Sequence, residues 1–538
     1  MRSNILITLF TLAFVSETNA QTTPFKIALE PVSIAGLGGV QSYAYGQADG
    51  KWLIIGGRKD GLHRRQPFAS FNATGKNSQL LVIDPFSLKK WELPLTSLSI
   101  DLQEQLSSTN MQFHQEGKYL YITGGYGYSS SLGDHITYGK LTAVDVPYTI
   151  NAIVNNQPIQ PFFRQISDTI FAVTGGHLKK IHDTYYLVGG QKFLGRYNPM
   201  GSDHGPGFIQ QYSDQIRKFN IIDDGTNISI SNYHAVTDAS AFHRRDYNVV
   251  PQILTDGAEG LSIFSGAFQP NANIPFLNST TIDSKSYVVD NSFAQYYNHY
   301  HSAVLPLYSQ LTNEMHNIFF GGIAQYYDEA GVLVQNDEVP FVKTIARVTR
   351  DSKGNLAEYK LPVEMPALLG AVSEFILLPD IPQYANEVIK LDKLNSDTTL
   401  VGHIYGGIAS TLPNVFFVNT GKESTASNTL FKVYIIRNAA ATTDKLNPQS
   451  TNGLQMQVYP DTNEGLFTIN FSLKKTANVE LQIKDADGKI LKKEILKGLK
   501  TGQNSITKKV QAIKPGKAYW VTVKTPYAQS TQKIIIEP

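Results

Sequence analysis

The chain has 538 residues, of which 42% are hydrophobic and 17% charged, and this balance excludes an intrinsically disordered protein. It contains no cysteine, so disulfide bonds, thiolate metal ligands and cysteine nucleophiles are excluded. The formal net charge is only +2, but it is unevenly distributed. Residues 451–538 carry 14 lysines against 7 acidic residues, whereas the preceding 450 carry 33 basic and 38 acidic residues. Such a change of sign indicates a domain boundary.

The first twenty residues have the pattern of a secretion signal. Arg2 supplies a positive charge, residues 5–15 are an apolar run, and Thr18-Asn19-Ala20 is a small-residue cleavage site before Gln21. The apolar run is too short to cross a bilayer, and no other stretch of the sequence is long and apolar enough for a transmembrane helix. We therefore predict a signal peptide over residues 1–20 and a protein that is secreted or held at the outer cell surface.

Six short apolar runs, each ending in a glycine pair or a near copy of one, recur along the chain. They are Leu53-Ile54-Ile55-Gly56-Gly57, Tyr121-Ile122-Thr123-Gly124-Gly125, Tyr186-Leu187-Val188-Gly189-Gly190, Ile263-Phe264-Ser265-Gly266-Ala267, Ile318-Phe319-Phe320-Gly321-Gly322 and His403-Ile404-Tyr405-Gly406-Gly407. A small sheet cannot bury its own faces, so a repeat of this kind predicts similar sheets stacked around an axis. The spacings between first glycines are 68, 65, 77, 55 and 85 residues. They exceed the roughly 40–50 residues of a minimal propeller blade, so long loops are expected as well.

Runs of alternating polar and apolar residues follow each repeat, and helix-forming stretches are scarce, which predicts an all-β chain. We expect a six-bladed propeller over residues 21–437. The pattern resembles the kelch family over roughly residues 30–440, most closely in the first repeat, where Gly56-Gly57 is followed by Asp84 and Trp91. That resemblance implies a propeller fold and leaves function open, because kelch propellers include oxidases, sugar epimerases and binding modules.

Residues 438–453 are small, polar and aperiodic, which predicts a linker. Residues 454–538 then have the pattern of a small β-sandwich, with a hairpin turn at Asp487-Gly488. The predicted strands are Leu454–Tyr459, Gly465–Phe471, Val479–Lys484, Lys489–Leu496, Asn504–Val510, Ala518–Lys524 and Lys533–Ile536.

This C-terminal region resembles the sorting domain of type IX secretion cargo. The resemblance is carried by Val458-Tyr459-Pro460, Gly465-Leu466-Phe467-Thr468-Ile469, Asp487-Gly488-Lys489, Pro515-Gly516-Lys517-Ala518-Tyr519-Trp520-Val521 and Lys533-Ile534-Ile535-Ile536. The chain reads Tyr459-Pro460-Asp461-Thr462 where the family usually has Tyr-Pro-Asn-Pro. The resemblance implies the type IX machinery as a partner, passage through the outer membrane, and release or surface attachment. An ordinary adhesion-type sandwich is the alternative. A nucleic-acid partner is not expected, since the lysine excess lacks arginine and interleaved aromatic residues.

The segment from Asn291 to Ser302 is the first candidate for a functional site. Read as a strand, it places His299 and His301 on one side together with Gln295 and Tyr297, where they would face a metal or a ligand. The alternative is that these polar groups hydrogen-bond to one another and to trapped water at the hub of the propeller.

Arginine clusters are the second candidate. Arg58, His63, Arg64 and Arg65 follow the first glycine pair, and His243, Arg244, Arg245 and Asp246 precede the fourth. Guanidinium groups bind carboxylates and phosphates through paired donors, so these residues predict an anionic ligand such as an acidic sugar. A structural ion pair between Arg244 and Asp246 is the alternative.

His114 and His177 occupy repeat positions comparable to those of His243 and His301, so a ring of histidines around the central channel is one expectation. Any metal site would have to be built from histidine and carboxylate side chains. We assign no metal ligands, because no close spacing such as His-Glu-x-x-His occurs, and the sequence requires no cofactor.

Three functions stay open at this point. The first is a binding protein that holds a glycan or peptide at the central channel, with Tyr126, Tyr128, Tyr297 and Tyr326 packing on sugars. The second is an enzyme acting on acidic or amino sugars as an epimerase, lyase or hydrolase, with His243 or His301 as general base and an arginine stabilising negative charge. The third is a purely structural surface protein.

Overall fold

The structure is a computed structural model that describes residues 25–66, 68–198, 207–437, 445–446, 454, 456–461, 465–510, 513–514 and 517–536. The predicted signal peptide and most of the predicted linker lie outside the described residues. Within them the α-helices are short: α1 (Ile100–Leu106), α2 (Val146–Val154) and α3 (Ala239–Phe242). Single 3-10 turns occur at Ala73–Gly75, Leu95–Ser97, Gln160–Phe162, Thr169–Phe171 and Leu391–Lys393. The remaining regular structure is β, and the all-β prediction is confirmed.

The strands of the first half of the chain are β1 (Lys26–Val32), β2 (Ala44–Ala48), β3 (Lys51–Ile55), β4 (Gln79–Asp84), β5 (Lys89–Pro94), β6 (Gln112–Glu116), β7 (Tyr119–Thr123), β8 (Tyr126–Ser129), β9 (Asp134–Thr137), β10 (Lys140–Asp145), β11 (Phe163–Ser167), β12 (His177–Ile181), β13 (Thr184–Val188), β14 (Gln191–Gly195), β15 (Phe208–Tyr212), β16 (Gln215–Asp223), β17 (Ile228–Thr237), β18 (Asn248–Ile253), β19 (Glu259–Phe264), β20 (Ser279–Ile282) and β21 (Tyr287–Asp290). Those of the second half are β22 (Val304–Ser309), β23 (Glu314–Ile323), β24 (Tyr326–Glu329), β25 (Val332–Gln335), β26 (Phe341–Arg350), β27 (Leu356–Glu364), β28 (Leu368–Ala371), β29 (Glu374–Leu377), β30 (Ile389–Lys390), β31 (Thr398–Tyr405), β32 (Ile408–Ser410), β33 (Ser424–Ala426), β34 (Leu430–Ile436), β35 (Lys445–Leu446), β36 (Gln457–Asp461), β37 (Leu466–Leu473), β38 (Ala477–Asp485), β39 (Ile490–Leu499), β40 (Gly502–Lys509), β41 (Ala518–Lys524) and β42 (Gln529–Ile535).

Six antiparallel sheets follow one another along the chain and form what we call the sheet ring. Their strand orders are β2-β3-β4-β5, β6-β7-β10-β11, β12-β13-β16-β17, β18-β19-β20-β21, β22-β23-β26-β27 and β29-β31-β34-β1. The last sheet joins the two ends of this region, because β1 pairs with β34 along its full length, from Lys26↔Ile436 to Val32↔Leu430. The fifth sheet carries two added edge strands, β30 and β35.

A closed cycle of backbone hydrogen bonds links the six sheets. One residue just before the inner strand of each sheet takes part, and its amide donates to the carbonyl of the corresponding residue of a neighbouring sheet at 2.8–3.3 Å. The six residues, which we call the backbone ring, are Ser42, Asn110, Gly175, Asp246, His301 and Val372. Between the last and first sheets, Tyr45 and Gln47 of β2 also donate to the carbonyls of Phe375 and Leu377 of β29. The sheets therefore surround one axis with no gap.

Hydrophobic packing between neighbouring sheets follows the same cycle. A separate buried cluster lies at each of the six junctions, as with Leu53 and Ile122 between the first and second sheets and Tyr405 and Trp52 between the last and first. Burial of apolar surface stabilises a fold by roughly 25 cal/mol per Å². Because each sheet packs on a cluster at each of its two faces, both faces contribute to its stability. Side-chain packing between the sheets therefore closes the sheet ring together with strand pairing.

The glycine repeat has a steric cause. Gly124 has φ +66°, and a Cβ built on it would lie 1.9 Å from the carbonyl oxygen of Val173, in the segment that leads into the next sheet. The adjoining Gly125 amide donates to that same oxygen at 2.9 Å. The pair therefore lets the backbones of two sheets meet, which a side chain would prevent.

The C-terminal region has a core of its own, formed only by residues between Leu454 and Ile536. Two sheets enclose it, β36-β37-β40 and β39-β38-β41-β42. All seven predicted strands have an observed counterpart, with ends shifted by a few residues. In the part of the chain that the structure describes, no helix is both long and apolar enough to cross a membrane.

Candidate functional site

Loops at one end of the sheet ring enclose a cavity of about 810 Å³. Five of the six backbone-ring residues line it, so the ring forms its floor. Two small sheets inserted between the main strands form much of its wall: β8-β9-β14-β15, and β28-β32-β33. We call this space the central cavity. Its volume lies within the range of small-molecule sites, roughly 300–1,000 Å³.

One side of the central cavity is an aromatic wall, which we define as His63, Phe71, Tyr126, Phe193, Tyr197 and Phe208. The rings of His63 and Phe71 stack with centroids 5.3 Å apart, and Tyr197 meets His63 edge-on at 4.9 Å. Phe193 and Phe208 stack at 4.9 Å. Burial lowers the pKa of His63 to about 4, so at neutral pH this ring is uncharged. The wall is therefore an uncharged cluster of rings that pack on one another.

Another part of the lining carries what we call the His243 network. His243 Nδ1 lies 2.7 Å from Asp214 Oδ1, and its ring stacks on Tyr212 with centroids 3.9 Å apart. Arg245 Nε donates to the Tyr212 hydroxyl at 3.1 Å and Arg245 Nη1 donates to Asp246. Burial alone would lower the pKa of Arg245, but the carboxylate of Asp246 and the neighbouring tyrosines together raise it. The network thus contains a histidine held by a carboxylate and a permanently charged arginine.

Both arginines that line the central cavity are already paired. Arg58 donates to both oxygens of Asp60, at 2.7 and 2.5 Å, and to the carbonyl of Asn72 at 2.8 Å. Arg245 is bound to Asp246, as described above. A carboxylate that occupies an arginine reduces its attraction for a second anion. This geometry therefore favours a neutral or amino-bearing ligand over the acidic one that we expected from the sequence.

Acidic groups occupy another part of the wall. Asp337 accepts hydrogen bonds from Gln325 Nε2 at 2.7 Å and Gln335 Nε2 at 2.9 Å, and burial raises its pKa. Glu338 accepts from Asn414 Nδ2 at 2.6 Å. Amide and carboxylate groups that are held in this way present fixed positions to hydroxyl and amino groups of a ligand.

The structure brings seven of the predicted site residues to the central cavity: Arg58, His63, Tyr126, His243, Arg245, Asp246 and His301. Of the four histidines expected to form a ring, His243 and His301 line the central cavity. His301 Nε2 lies 3.1 Å from Glu374 Oε1, and its ring meets that of His177 at 5.2 Å. His177 lies behind the floor, where its Nε2 is bonded to the carbonyl of Tyr247 at 2.6 Å.

The reading of residues 291–302 as a strand with one functional face is corrected, because this segment is irregular. Its backbone is bent where the amides of Tyr296 and Tyr297 donate to the carboxylate of Glu358, at 2.6 and 3.1 Å. His299 is fully buried. Its Nε2 lies 2.9 Å from the backbone carbonyl of Gln295, and its Nδ1 accepts a hydrogen bond from the backbone amide of Gln325 at 2.9 Å.

Three further residues of that prediction are also buried away from the central cavity. Gln295 donates to the carbonyl of Asn298 at 3.3 Å, Tyr297 is 1% exposed, and the hydroxyl of Tyr326 donates to Gln335 Oε1 at 3.2 Å. Neither tyrosine has a face free for a sugar.

The prediction for Arg244 is corrected too. Its guanidinium is fully buried and donates to the carbonyls of Ala241, Ser265 and Asn278 at 2.9, 2.7 and 3.2 Å. It joins neighbouring loops and does not pair with Asp246, so it is structural.

The other predicted residues lie outside the cavity lining. His114 packs its ring on Tyr185 at 5.8 Å. Arg64 Nε donates to Gln66 Oε1 at 3.2 Å, and the Arg65 guanidinium lies 4.5 Å from the ring centroid of Phe417. Phe417 lines the central cavity, and Arg65 packs on its ring from outside the lining.

Sequence reasoning missed Asp214, Tyr212, Tyr197 and Phe208. Asp214 lies 29 residues before its partner His243, and no local pattern connects the two. Among the described residues, no group of three or more histidine, aspartate or glutamate side chains is arranged to hold a metal ion.

Comparison with known proteins bears on the C-terminal region. A family model described as the secretion system C-terminal sorting domain matches residues 457–537. This region is a sorting domain. The prediction of a sorting domain from the sequence is confirmed. The sorting domain indicates that the protein is exported and is then secreted or held at the cell surface. It also indicates an interaction with the type IX secretion machinery.

The rest of the chain has more distant similarities. No curated protein matches the sequence. Among solved structures, one titled "Structure of YjhT" has 10% identity and a TM-score of 0.41, covering 74% of this chain and 98% of its own. A glycoside hydrolase family 43 arabinoxylan arabinofuranohydrolase from Bacillus subtilis, in complex with cellotetraose, has 11% identity and a TM-score of 0.26, covering 92% and 93%. These similarities are too low to transfer the activity of either protein to this chain.

Proposed function

We propose that this is an exported binding protein whose central cavity holds a glycan, on a sheet ring that is a six-bladed propeller of the kelch type. The observation that carries the proposal is the mixed aromatic and polar lining of the cavity. Aromatic rings and amide, carboxylate and hydroxyl groups line the same space of about 810 Å³.

This arrangement matches the two kinds of surface that a sugar has. The C–H faces of a pyranose pack on aromatic rings, whereas its hydroxyl edges need fixed donors and acceptors. A peptide bound by strand addition would need an open strand edge along its length. Because Arg58 and Arg245 are each bound to a carboxylate, we expect a neutral or amino sugar.

A glycan array probed with the purified protein tests this proposal. A hit should bind Tyr197→Ala about tenfold more weakly than the wild type, since one aromatic contact contributes about 1 kcal/mol beyond its buried area. The matched control is Tyr233→Ala, which removes a tyrosine that is 45% exposed on β17. Absence of any hit, or equal loss in both variants, would contradict the proposal.

One observation favours a second function, catalysis on the bound sugar. Asp214 can accept a hydrogen bond from His243 Nδ1–H, which leaves Nε2 unprotonated as a base on a residue that lines the central cavity. Arg245 lies in the same network, near where a ligand would lose a proton. His301 is less suited to this role, because its Nε2 is engaged by Glu374.

The catalytic alternative is tested on the array hits. Each hit is incubated with the wild type and with Asp214→Asn, and its proton NMR spectrum is followed. Turnover by the wild type that falls at least tenfold in Asp214→Asn, with binding retained, supports an enzyme. No change in any hit leaves binding as the function.

A further inference from the structure

The sorting domain lies against one hairpin of the sheet ring. Strands β24 and β25 form this hairpin between two main strands of the fifth sheet. The hairpin is fixed to the ring, because Tyr326 and Leu333 are buried in one cluster with Tyr296. Its edge strand, β25, is therefore presented by a rigid base.

Strand β42 of the sorting domain pairs with that edge. The pairing is parallel, with Val334 opposite Lys533 and Gln335 opposite Ile534. The two parts of the chain thus share one six-stranded sheet, in the order β24-β25-β42-β41-β38-β39. Addition of a strand to an exposed sheet edge is a general mode of protein recognition, in which main-chain hydrogen bonds supply the affinity.

Gln335 also contacts the other sheet of the sorting domain. Its Nε2 donates to the carbonyl of Val458 in β36 at 2.7 Å, and the residue is 1% exposed. Separation of the two parts would expose this contact and the edge of β25 together. A buried amide that loses its partner costs about 1–3 kcal/mol unless water replaces it.

Charge is complementary at the same place. Lys533 Nζ of β42 forms an ion pair with Glu329 of β24. Over longer range, residues 451–538 carry 14 lysines against 7 acidic residues, and the preceding 450 residues are net acidic. Opposite net charges favour association of the two parts.

We propose that the β24–β25 hairpin is a docking site that keeps the sorting domain bound to the sheet ring after the linker between them is cut. The sorting domain has a hydrophobic core formed only by its own residues, so it is a separate folding unit that can act as the partner. Cutting the linker alone then does not release the sheet ring from its sorting domain.

The test uses the full chain with a recognition sequence for a specific protease inserted after Pro448. After complete cleavage, size-exclusion chromatography at micromolar concentration separates free fragments from a complex. We expect the two fragments to elute together. Elution of two separate species would overturn the proposal.

Variants locate the contact. Lys533→Glu should weaken retention of the cut sorting domain, and Glu329→Lys in the same chain should restore it, because the ion pair is then reversed. The matched control is Lys524→Glu, which makes the same charge change at an exposed position of β41. Gln335→Ala should weaken retention about tenfold. Equal retention in all of these variants would place the contact elsewhere and contradict the docking site.

A cross-link provides a readout that does not depend on affinity. The chain has no cysteine, so Val334→Cys combined with Lys533→Cys introduces the only two thiols, at positions that are directly paired. Under oxidising conditions the cut fragments should stay joined on a non-reducing gel. Failure to cross-link in a folded protein would refute the pairing.

Discussion

The strand that closes the sheet ring provides a demanding test of the fold. β1 comes from the start of the described chain and completes the last sheet. Ile27 of β1 is 6% exposed, and Phe25, the residue just before this strand, is 4% exposed. Both side chains are buried in the cluster between the fifth and last sheets, together with Leu305 and Phe431. The variant to make is Phe25→Ala combined with Ile27→Ala, which leaves the strand in place and removes its packing.

The expected loss is large compared with the stability of a domain. Truncation of a buried phenylalanine costs about 3–5 kcal/mol and that of a buried isoleucine about 2–5 kcal/mol. The two sites share one cluster, so their costs need not add, and we expect a combined loss of at least about 5 kcal/mol. A domain is stable by only about 5–15 kcal/mol, so the ring should be close to unfolding.

Urea denaturation followed by tryptophan fluorescence measures this loss. Trp52 is 2% exposed in the first sheet and reports on the ring, whereas Trp520 reports on the sorting domain. The control is Glu30→Ala on the same strand, which removes an exposed pair with Lys432 and should leave the midpoint nearly unchanged. A double variant that unfolds at the wild-type midpoint would refute closure by β1.

Three further predictions concern single residues. Gly124→Ala should lower the midpoint of thermal unfolding by several degrees or abolish folding, since its Cβ would lie 1.9 Å from the carbonyl oxygen of Val173. Arg244→Ala should lower the free energy of unfolding by about 3 kcal/mol in urea titrations, because three carbonyls lose their donor. The pKa of His63 is lowered to about 4, so the folded state disfavours its protonation, and stability should fall as pH drops from about 6.5 to about 4. Burial also lowers the pKa of His299 and His403 to about 4, so His63→Gln should make this fall shallower without abolishing it. His234→Gln, at an exposed position, should leave the thermal unfolding profile unchanged.

The repeat and the sorting domain could be read from the sequence because their causes are local. Where a backbone with positive φ meets the next sheet, the chain needs glycine, and this requirement appears in the sequence as a glycine pair such as Gly124-Gly125. The strands of the sorting domain alternate polar and apolar residues over one buried core, so their positions were predictable to within a few residues.

The candidate site was predicted only in part, because its contacts join distant parts of the chain. The pair of His243 and Asp214 depends on how two loops pack, and no spacing in the sequence signals it. The segment around His299 alternates like a strand, yet the carboxylate of Glu358, contributed by β27, binds two of its amides and bends it. The sequence predicts that Arg244 contacts a ligand, because a charge near the channel is expected to face it, whereas its guanidinium is fully buried and hydrogen-bonds to neighbouring carbonyls.

A crystal structure of the protein with a sugar identified on the glycan array would show where the ligand binds. We expect density for the sugar in the central cavity, with one face on Tyr197 and a hydroxyl or amino group within hydrogen-bond distance of His243, Asp246 or Asp337. Density on the outer edges of the sheets, or on the sorting domain, with the central cavity free of the sugar, would contradict it.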